Sequence, residues 1–467
     1  MLESFAKQQK VYPKSIWGRF RRLKWAVLAL LLGLYYLAPF VRWDRGPNAP
    51  GQAILIDMPH RRAYWFWIEI WPQEVYILTG ILIVSAVALF FVTSLFGRVW
   101  CGYLCPQTVW TDLYIWVEKQ IQGDRNARMR LQEGPWTFER IFKTGLTHLI
   151  WLLIALMTGG AFVLYFTDAP TLVQNMLHFD VSTTTLGFIL GLTFSTYLMA
   201  GFAREQVCTY MCPYARFQSA MFDKDTLIIG YDAKRGEPRG SFKKGASWEG
   251  RGHCIDCTQC VQVCPMGIDI RNGLQMECIA CGLCIDACDN IMDKMNLPRG
   301  LIRYDTQHSM DTAAATGQPA KGFHLWRMRT LYYTLILAVV CGLILSALVL
   351  RSPLDLHVLH DRNPRFVQLS SGEIRNGYEI KILNKTHADR VYSIGVSGLE
   401  NAQISVNATE GAGADHLNVP ADSVGNFRVS VSSDVKPGPA RKITFHLEDQ
   451  THTLQIDKDS MFVSERE

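Results

Sequence analysis

Two runs of cysteine in this chain have a spacing that could hold metal clusters. They comprise Cys254, Cys257, Cys260 and Cys264, and then Cys278, Cys281, Cys284 and Cys288, each in the pattern C-x2-C-x2-C-x3-C. Thiolates at this spacing ligate [4Fe-4S] clusters, and in two-cluster proteins the fourth cysteine of each run ligates the other cluster. The spacing therefore predicts two ligand sets: Cys254, Cys257, Cys260 and Cys288 for cluster 1, and Cys278, Cys281, Cys284 and Cys264 for cluster 2.

A pair of zinc sites is the alternative for these eight cysteines. Zinc sites built from C-x2-C pairs need neither a third cysteine after two residues nor a fourth after three more. Pro265, which follows the first run, also favours the clusters, whereas Asp289 stands at the equivalent position after the second run. We therefore expect a chain that transfers single electrons.

Four further cysteines form two C-x3-C-P motifs. These are Cys101 and Cys105 followed by Pro106, and Cys208 and Cys212 followed by Pro213. In a helix this spacing puts both sulfurs on one face, one turn apart, and the proline forces a break. Each motif follows an apolar segment, so we expect a duplicated two-helix unit that brings the motifs side by side at one membrane face.

Soft thiolates favour Cu(I), zinc or iron-sulfur centres, and thiols beside Arg98 and Arg204 would have a low pKa and be redox-active. Cysteines that simply pack the helix ends are the alternative, because free cysteine is often buried. Two copies at equivalent places favour a metal or redox site. Its residues are Cys101, Cys105, Cys208 and Cys212, with Met199 and Met211 as candidate thioether ligands.

Three residues are expected to have ordinary roles. Cys341 has no partner motif, and we expect it in a core. A membrane haem would need two histidines at matching depth, and His148 and His178 are expected near opposite faces. We interpret them as polar or interfacial histidines.

The apolar residues predict a mixed architecture. Of 467 residues, 49% are hydrophobic, and the mean hydropathy is +0.06, which lies between ordinary soluble and all-membrane proteins. Stretches long enough to cross a bilayer lie near residues 25–41, 75–96, 144–166, 181–203 and 330–350. We expect five spans, the first of them an uncleaved anchor because no A-x-A-like cleavage site ends it.

Lysine and arginine indicate the orientation of these spans. Basic residues precede the first span and fill the loop between the second and third, whereas the loop from Thr167 to Asp180 has none. Short basic loops stay in the cytoplasm, so we expect a cytoplasmic N-terminus and cluster segment and an exported C-terminus. The net charge of +5 mostly expresses this bias, and we do not expect nucleic-acid binding.

The connecting segments carry less specific signals. Residues Ile54 to Glu74 are rich in tryptophan and tyrosine and predict an interfacial or re-entrant element. After Cys105, apolar residues at three- and four-residue steps predict an amphipathic helix on the inner membrane surface. Residues Asp232 to Gly252 predict a linker, and Tyr304 to Lys321 a second loop.

Beyond Ser352 the pattern changes to short alternating runs separated by glycine, asparagine and proline. The runs are 378–383, 391–396, 402–406, 427–431, 442–447 and 451–456. They predict an antiparallel β-sandwich of immunoglobulin type. No G-x-G-x-x-G fingerprint follows a predicted strand, so electrons from a nicotinamide would need a partner protein.

The expected fold is a multi-domain membrane protein with four parts. They are a membrane domain over 1–230, a linker and ferredoxin-like module for two [4Fe-4S] clusters over 231–325, a fifth span over 326–351, and an Ig-like β-sandwich over 352–467.

Several segments together resemble the FixG/CcoG (also RdxA) family of cytochrome c oxidase accessory proteins. They are Tyr12-Pro13-Lys14, Pro59-His60-Arg61-Arg62, Trp71-Pro72-Gln73, the stretch from Arg98 to Trp110, the stretch from Cys208 to Pro213, both ferredoxin runs and the C-terminal sandwich. The resemblance implies a multi-pass protein of the bacterial inner membrane that assists assembly of cbb3-type oxidase and reduces Cu(II) to Cu(I). It also implies copper as a further metal, and oxidase assembly factors or copper chaperones as partners. The related NapH-type quinol dehydrogenases lack the fifth span and the sandwich.

Three functions remain open at this point. The first is electron delivery from an unidentified cytoplasmic or quinol donor to a cupric ion at the four membrane-face thiolates. The second is quinol oxidation with electrons passed to a redox partner, and the third is a non-catalytic assembly scaffold. The oligomeric state is also open, with a homodimer as one option.

Overall fold

The structure is a computed structural model. It describes residues 10–46, 49–242, 248–316, 325–407, 413–414, 416–450 and 454–465. By their contacts the residues form two compact units, one of 1–41 with 52–345 and one of 42–51 with 346–467.

Apolar helices long enough to cross a membrane account for much of the first unit. In the described part of the chain there are five: Arg19–Phe40, Pro72–Phe96, Phe138–Val163, Thr183–Met211 and Met328–Val349. The prediction of five spans is confirmed, and the chain is a multi-pass membrane protein.

The α-helices of the described residues are α1 (Arg19–Leu37), α2 (Val75–Phe96), α3 (Pro106–Gln122), α4 (Arg125–Glu133), α5 (Phe138–Val163), α6 (Ala169–Leu177), α7 (Thr183–Leu198), α8 (Arg204–Gln206), α9 (Pro213–Met221), α10 (Ala233–Gly236), α11 (Gln259–Gln262), α12 (Leu283–Lys294), α13 (Gln307–Thr316) and α14 (Met328–Val349). The strands are β1 (Ile54–Asp57), β2 (Arg62–Trp65), β3 (Ile68–Ile70), β4 (Leu227–Tyr231), β5 (Ile302–Thr306), β6 (Leu354–His360), β7 (Val367–Gln368), β8 (Ile374–Asn384), β9 (Arg390–Ser397), β10 (Gln403–Asn407), β11 (Leu417–Val419), β12 (Ser423–Ser433), β13 (Arg441–Asp449) and β14 (Gln455–Phe462).

Helix α3, which follows the first C-x3-C-P motif, packs lengthwise against α5. Gln122 at its end donates to the hydroxyl of Thr147 at 2.8 Å. Trp110 near its start donates to the hydroxyl of Thr158 at 2.9 Å. The two helices are therefore antiparallel, and α3 runs along the span α5 instead of lying flat on the membrane surface as predicted. Val109 and Val117 of its apolar stripe are buried, whereas Trp116 is 41% exposed.

Small residues bring α5 close to α7, as is common between membrane helices. A Cβ atom added at Gly159 would lie 2.9 Å from both the carbonyl oxygen of Ile189 and the amide nitrogen of Thr193. Glycine at this position therefore sets the separation of the two spans.

The aromatic segment between the first two spans is a small antiparallel sheet with the order β1-β2-β3. Trp65 and Trp67 are exposed, whereas Trp71 is buried. Of the two predicted alternatives, the structure contains no re-entrant helix in this segment, and the exposed tryptophans fit an interfacial element.

The cluster module begins earlier than its composition predicts, because β4 starts at Leu227 and the predicted module starts at residue 231. Strands β4 and β5 pair antiparallel, with Leu227 opposite Thr306 and Tyr231 opposite Ile302. The prediction of a loop over Tyr304 to Lys321 is therefore wrong for its first part, which forms the end of β5 and then α13; residues 317–324 lie outside the described ones. The predicted linker contains α10, and its residues 243–247 also lie outside the described part.

The first helix is attached to this module by a carboxylate. Asp286 on α12 accepts from the backbone amides of Phe20 at 3.1 Å and Arg21 at 2.8 Å. Amides at a helix start have no partner within the helix, so this carboxylate satisfies two of them.

The second unit is an Ig-like β-sandwich, as predicted. One sheet has the order β10-β12-β8-β6 with β7 on β8, and the other has the order β11-β9-β13-β14. Alternate residues of facing strands fill the core, among them Tyr378, Ile380, Ile443 and Phe445, which are fully buried. The alternation of apolar residues therefore marks the inner faces of both sheets.

The predicted strand positions match six of these strands, with the last one displaced. The run 451–456 was expected as a strand, but β14 covers Gln455–Phe462, and residues 451–453 lie outside the described part. Strands β6, β7 and β11 were not predicted.

Candidate functional site

Four cysteines from both ferredoxin runs line one cavity of the cluster module. They are Cys254, Cys257, Cys260 and Cys288, the set predicted for cluster 1. Arg271 also lines this cavity, and its guanidinium is paired with Asp269 and Asp256.

A second cavity collects the remaining four cysteines of these runs. They are Cys264, Cys278, Cys281 and Cys284, the set predicted for cluster 2. Cys260 lines both cavities, so the two share a wall. The structure thus brings together the predicted sets, including the crossed fourth cysteines, while ligation itself stays a prediction.

The two runs share an unusual backbone conformation. Asp256 and Ala280, each two residues after the first cysteine of its run, both have φ of 52°. Thr258 and Gly282, each following the second cysteine, have φ of 54° and 75°. Positive φ is uncommon outside glycine and turns the chain sharply. Both loops therefore curve in the same way around their cavities.

Burial makes two of these thiols, Cys264 and Cys278, hard to ionise without a metal. It raises the pKa of Cys264 to about 12 and that of Cys278 to about 11. The backbone amides of Met266 and Ile268 donate to the sulfur of Cys264, and that of Ala280 donates to Cys278. Buried thiolates with amide donors need a bound cation to compensate their charge. The donor sets therefore fit [4Fe-4S] clusters.

Asp289 has a structural reason for standing where the first run has proline. Helix α12 carries Cys284 and Cys288 and continues to Lys294. A proline at 289 would remove an amide from the helix interior. Asp289 instead accepts from the amide of Gly300 at 3.0 Å.

Both C-x3-C-P motifs are wound as π-helical turns, Trp100–Leu104 and Val207–Met211. The amide of Cys105 donates to the carbonyl of Trp100 at 2.9 Å, and that of Cys212 donates to Val207 at 2.7 Å. The following proline begins α3 or α9 in each case. The turns are thus wider than the α-helical turn that the spacing was expected to form, and such turns are frequent at functional sites.

The four thiols of the C-x3-C-P motifs lie near one another. Cys105, Cys208 and Cys212 are close enough to Cys101 to raise the pKa of its thiol, after the larger effect of burial. Its sulfur lies 3.4 Å from the side-chain oxygen of Gln218, which is fully buried. The side-chain nitrogen of Gln218 has no partner among the described residues. This amide was not predicted to belong to the site, and nothing in its local pattern indicates it.

The expectation of low-pKa thiols is wrong for Cys101. Burial raises the pKa of its thiol to about 12, with the other cysteines adding to the effect. Arg98 instead donates to the backbone carbonyls of Met276 and Ala215. Arg204 pairs with Glu118 at 2.6 Å. Both arginines therefore hold elements together, and the Cys101 thiol would need a metal to ionise.

The first C-x3-C-P motif touches the second ferredoxin run directly. The hydroxyl of Tyr103 donates to the carbonyl of Cys281 at 3.0 Å. A Cβ at Gly102 would lie 2.7 Å from the carbonyl oxygen of Ile279, so only glycine allows this approach. Cys101 and Cys281 belong to one apolar cluster. The first C-x3-C-P motif and the cluster 2 cavity are therefore neighbours.

The described residues contain no group of three or more His, Cys, Asp or Glu side chains converged on a single metal ion. Met199 and Met211, the candidate thioether ligands, are 37% and 59% exposed. The four thiols are thus near one another without closing around one ion in this conformation.

The remaining candidates have ordinary surroundings. Cys341 is half-buried, so the expectation of a core position is wrong. His148 Nδ1 is hydrogen-bonded to the hydroxyl of Tyr197 at 3.0 Å, as expected of a polar membrane histidine. His178 directly follows the short helix α6 and is exposed.

A buried ion-pair network beside the thiols was not predicted. Glu118 on α3 binds Arg128 at 2.7 Å and Arg204 at 2.6 Å. Although burial alone would raise the pKa of Glu118, the two guanidiniums hold it below its usual value. The sequence feature that indicates this network is an acidic residue, Glu118, next to the apolar residue Val117 of α3.

A Ser-His-Asp row lies on the sandwich. His446 is hydrogen-bonded to Ser397 at 2.6 Å and to Asp457 at 2.8 Å. These residues occupy three adjacent strands on an exposed face of the sheet. The row is explained as a cross-strand ladder.

Comparison with known proteins relates three parts of the chain to described families. Residues 203–307 match a 4Fe-4S dicluster domain. Residues 78–123, which contain Cys101 and Cys105, match a 4Fe-4S binding domain. Residues 344–465 match the IG-like fold at the C-terminal of FixG.

Three curated relatives are similar over nearly the whole chain. The nitrogen fixation protein FixG of Rhizobium meliloti is 47% identical over 92% of this chain and 87% of its own length. Protein RdxA of Cereibacter sphaeroides is 46% identical over 93% of this chain and 92% of its own length. Protein RdxB of the same organism is 46% identical over 98% of this chain and 97% of its own length.

Proposed function

The chain belongs to the FixG family of multi-pass iron-sulfur electron-transfer proteins, and from this premise we propose that it is a cupric reductase of the bacterial inner membrane. In this proposal it reduces Cu(II) to Cu(I) at Cys101, Cys105, Cys208 and Cys212 and so assists assembly of cbb3-type cytochrome c oxidase. The Cu(I) product is passed to an assembly factor or copper chaperone.

The contact between the first C-x3-C-P motif and the second ferredoxin run carries the proposal. Tyr103 and Gly102 seat the loop of Cys101 on the backbone of Ile279 and Cys281. When bound at the two predicted cysteine sets, each [4Fe-4S] cluster accepts and donates one electron at a time, which suits a one-electron reduction.

The chemistry of the four thiols supports copper as the substrate. Thiolates are soft ligands and prefer Cu(I), so the site stabilises the product of Cu(II) + e⁻ → Cu(I). The side-chain amide of Gln218, at 3.4 Å from the sulfur of Cys101, can rotate to donate to that sulfur once it is a thiolate. Such a donor would stabilise the negative charge in a buried place.

Cupric reduction by the purified full-length protein tests this proposal. The protein is reduced anaerobically with dithionite, the excess is removed, and Cu(I) formed from added Cu(II) is measured with a chromogenic chelator. We expect Cys105→Ser and Cys212→Ser each to lower the rate and the bound copper about tenfold, because one of four soft ligands is lost. Cys341→Ser, a cysteine of the same membrane domain outside the motifs, is the matched control.

Iron and acid-labile sulfide are measured in the same samples. They should stay at wild-type levels in both variants. Full activity and unchanged copper in the Cys105, Cys212 double variant would refute the copper site. Loss of iron together with activity would assign an iron-sulfur centre to these thiols, as the match over residues 78–123 would then suggest. Normal oxidase assembly in cells that carry this double variant would favour a scaffold.

A further inference from the structure

A cavity of about 250 Å³ lies on the other side of the second C-x3-C-P motif. Its walls include Trp151 and Phe202, which are apolar and aromatic, and the polar side chains of Gln122, Thr147 and His148. The volume falls below the roughly 300–1,000 Å³ of pockets that enclose a whole drug-sized ligand. It therefore suits the ring of a ligand whose remainder lies outside.

Two aromatic side chains of this wall pack against the imidazole of His148. Phe202 is 53% exposed, and its ring stacks on that of His148 with centroids 5.8 Å apart. Trp151 is buried and meets the same imidazole edge-on at 5.1 Å. A flat ring bound in this cavity can therefore lie against aromatic faces.

Two polar side chains that line this cavity, Gln122 and His148, each have an atom that can accept a further hydrogen bond. Gln122 is 6% exposed and donates to Thr147, while its side-chain oxygen has no partner among the described residues. His148 uses Nδ1 toward Tyr197, so Nε2 is its second ring nitrogen. A buried acceptor without a partner is costly and points to a ligand that donates a hydrogen bond.

The charges around the cavity balance. Lys10 and Arg204 are basic, and Glu118 and Glu205 are acidic. An anionic lipid headgroup would gain little from such a wall, whereas an uncharged ring that carries hydroxyl groups would fit it.

The cavity is separated from the thiols by very little protein. Arg204 and Glu205 line both this cavity and a smaller one that contains Cys208. The π-helical segment Met199–Ala203 forms part of the wall, and Gly201 within it would bring a Cβ to 3.2 Å from the ring of Trp151. A ligand here would lie beside the site proposed for copper.

We propose that this cavity binds the ring of a membrane quinol and that the quinol is the electron donor for cupric reduction. The proposal rests on the cupric reductase function and names its reductant. Gln122 accepts a hydrogen bond from one quinol hydroxyl, and His148 Nε2 accepts the proton of the other while Nδ1–H donates to Tyr197.

The reaction balances with copper as the oxidant. Each quinol loses two electrons and two protons and becomes a quinone, and two cupric ions each gain one electron: QH₂ + 2 Cu(II) → Q + 2 Cu(I) + 2 H⁺. One proton leaves through His148, and the other is released to water at the polar edge of the cavity.

The test uses the full-length, cluster-loaded protein in lipid nanodiscs and decylubiquinol as the probe. Cupric reduction is compared with decylubiquinol and with dithionite as reductants, and decylubiquinone binding is measured separately by titration. We expect the wild-type protein to work with both reductants. Failure with dithionite as well would count against the cupric reductase itself, whereas failure with decylubiquinol alone would overturn only the quinol proposal.

Two variants locate the site. His148→Phe keeps an aromatic ring against Phe202, and Gln122→Met keeps the approximate volume. We expect each to lower decylubiquinol-driven reduction and quinone binding about tenfold, as the loss of one buried hydrogen-bond partner implies, and to leave dithionite-driven reduction unchanged. His178→Phe, at an exposed histidine that directly follows α6, is the matched control.

Rescue and competition complete the test. His148→Gln restores a polar side chain and should recover part of the binding without the proton transfer. Wild-type quinone binding and rates in both His148→Phe and Gln122→Met would overturn the assignment. If the two variants lost bound anionic phospholipid but kept wild-type quinone binding, the cavity would be a lipid site, and the quinol proposal would be overturned as well.

Discussion

At the scale of single residues, Glu118 connects three parts of the chain. It lies on α3 and holds Arg128 of α4 and Arg204 of the fourth span, and all three side chains are at most 5% exposed. A buried charge is stable only when it is paired. The same residue lines the cavity that we assign to the quinol ring, so one carboxylate supports both the loop beside Cys208 and the cavity.

Replacing Glu118 by Gln should destabilise the membrane domain. The change leaves two buried guanidiniums without their anion, which costs about 3–5 kcal/mol. The pKa of Glu118 is held below 4.5 in the folded protein, so its contribution is full above this pH and is lost as the pH falls through the folded value. Thermal unfolding followed by tryptophan fluorescence between about pH 7 and pH 3 measures both effects.

The variant should therefore unfold at a lower temperature at neutral pH and show a shallower loss of stability in acid. Glu133→Gln, an exposed residue of α4, is the control and should behave as wild type. An equal acid slope in Glu118→Gln and wild type would contradict the assignment.

The crossed ligand sets make a second prediction at this scale. Cys257→Ser removes a ligand of cluster 1 alone and Cys281→Ser one of cluster 2 alone, so each should lower iron from about eight to about four atoms per chain. Iron and acid-labile sulfide analysis after anaerobic purification measures this, with Cys341→Ser as the control. Iron at wild-type level in both variants would refute the ligand sets.

At the scale of elements, close packing decides which helices meet. The carbonyl of Ile189 and the amide of Thr193 lie against Gly159, and both belong to backbone that cannot move aside cheaply. Gly160, its neighbour, has open space where a Cβ would lie. Substituting each of these two glycines by alanine therefore distinguishes the effect of steric crowding from the effect of helix propensity.

Gly159→Ala should lower the free energy of unfolding by about 1–3 kcal/mol, because the added methyl forces α5 and α7 apart. Gly160→Ala should be neutral or stabilising by up to about 1 kcal/mol, since alanine favours the helix. Thermal unfolding of both variants in the same detergent measures the difference. Equal stability of the two variants would show that α5 and α7 do not pack through Gly159.

The elements also show what the sequence could and could not predict. Long apolar stretches are local signals, so the sequence predicts the five spans. The spacing of the cysteine runs predicts two ligand sets, and the members of each set line a common cavity. The sequence does not predict strand β5, because its partner β4 lies about 70 residues earlier and a two-stranded pairing leaves only weak local alternation of apolar residues. Helix α3 was assigned to the membrane surface because an apolar stripe does not reveal whether lipid or α5 covers it.

At the scale of the whole molecule, one unit contains all the proposed redox sites next to one another. They are the two cluster cavities, the two C-x3-C-P motifs and the cavity assigned to the quinol. Cys260 joins the two cluster cavities, Cys281 meets the loop of Cys101, and Glu205 lies between Cys208 and the quinol cavity. This succession requires the C-x3-C-P motifs to lie on the same membrane side as the ferredoxin module. The orientation of the spans is therefore part of the functional proposal.

Fusions of reporter proteins determine this orientation. Basic residues concentrate before the first span and between the second and third, and the loop from Thr167 to Asp180 contains none. A fusion after Thr316 should therefore report the cytoplasm, and fusions after Asp180 and after Glu467 should report the exported side. Alkaline phosphatase, active only when exported, and a fluorescent protein that folds in the cytoplasm give opposite signals at each point.

If the fusions after Thr316 and Glu467 reported the same compartment, α14 would not cross the membrane. If all three were inverted, the C-x3-C-P thiols would face the periplasm, and reduction of copper there would need no entry of Cu(II) into the cell.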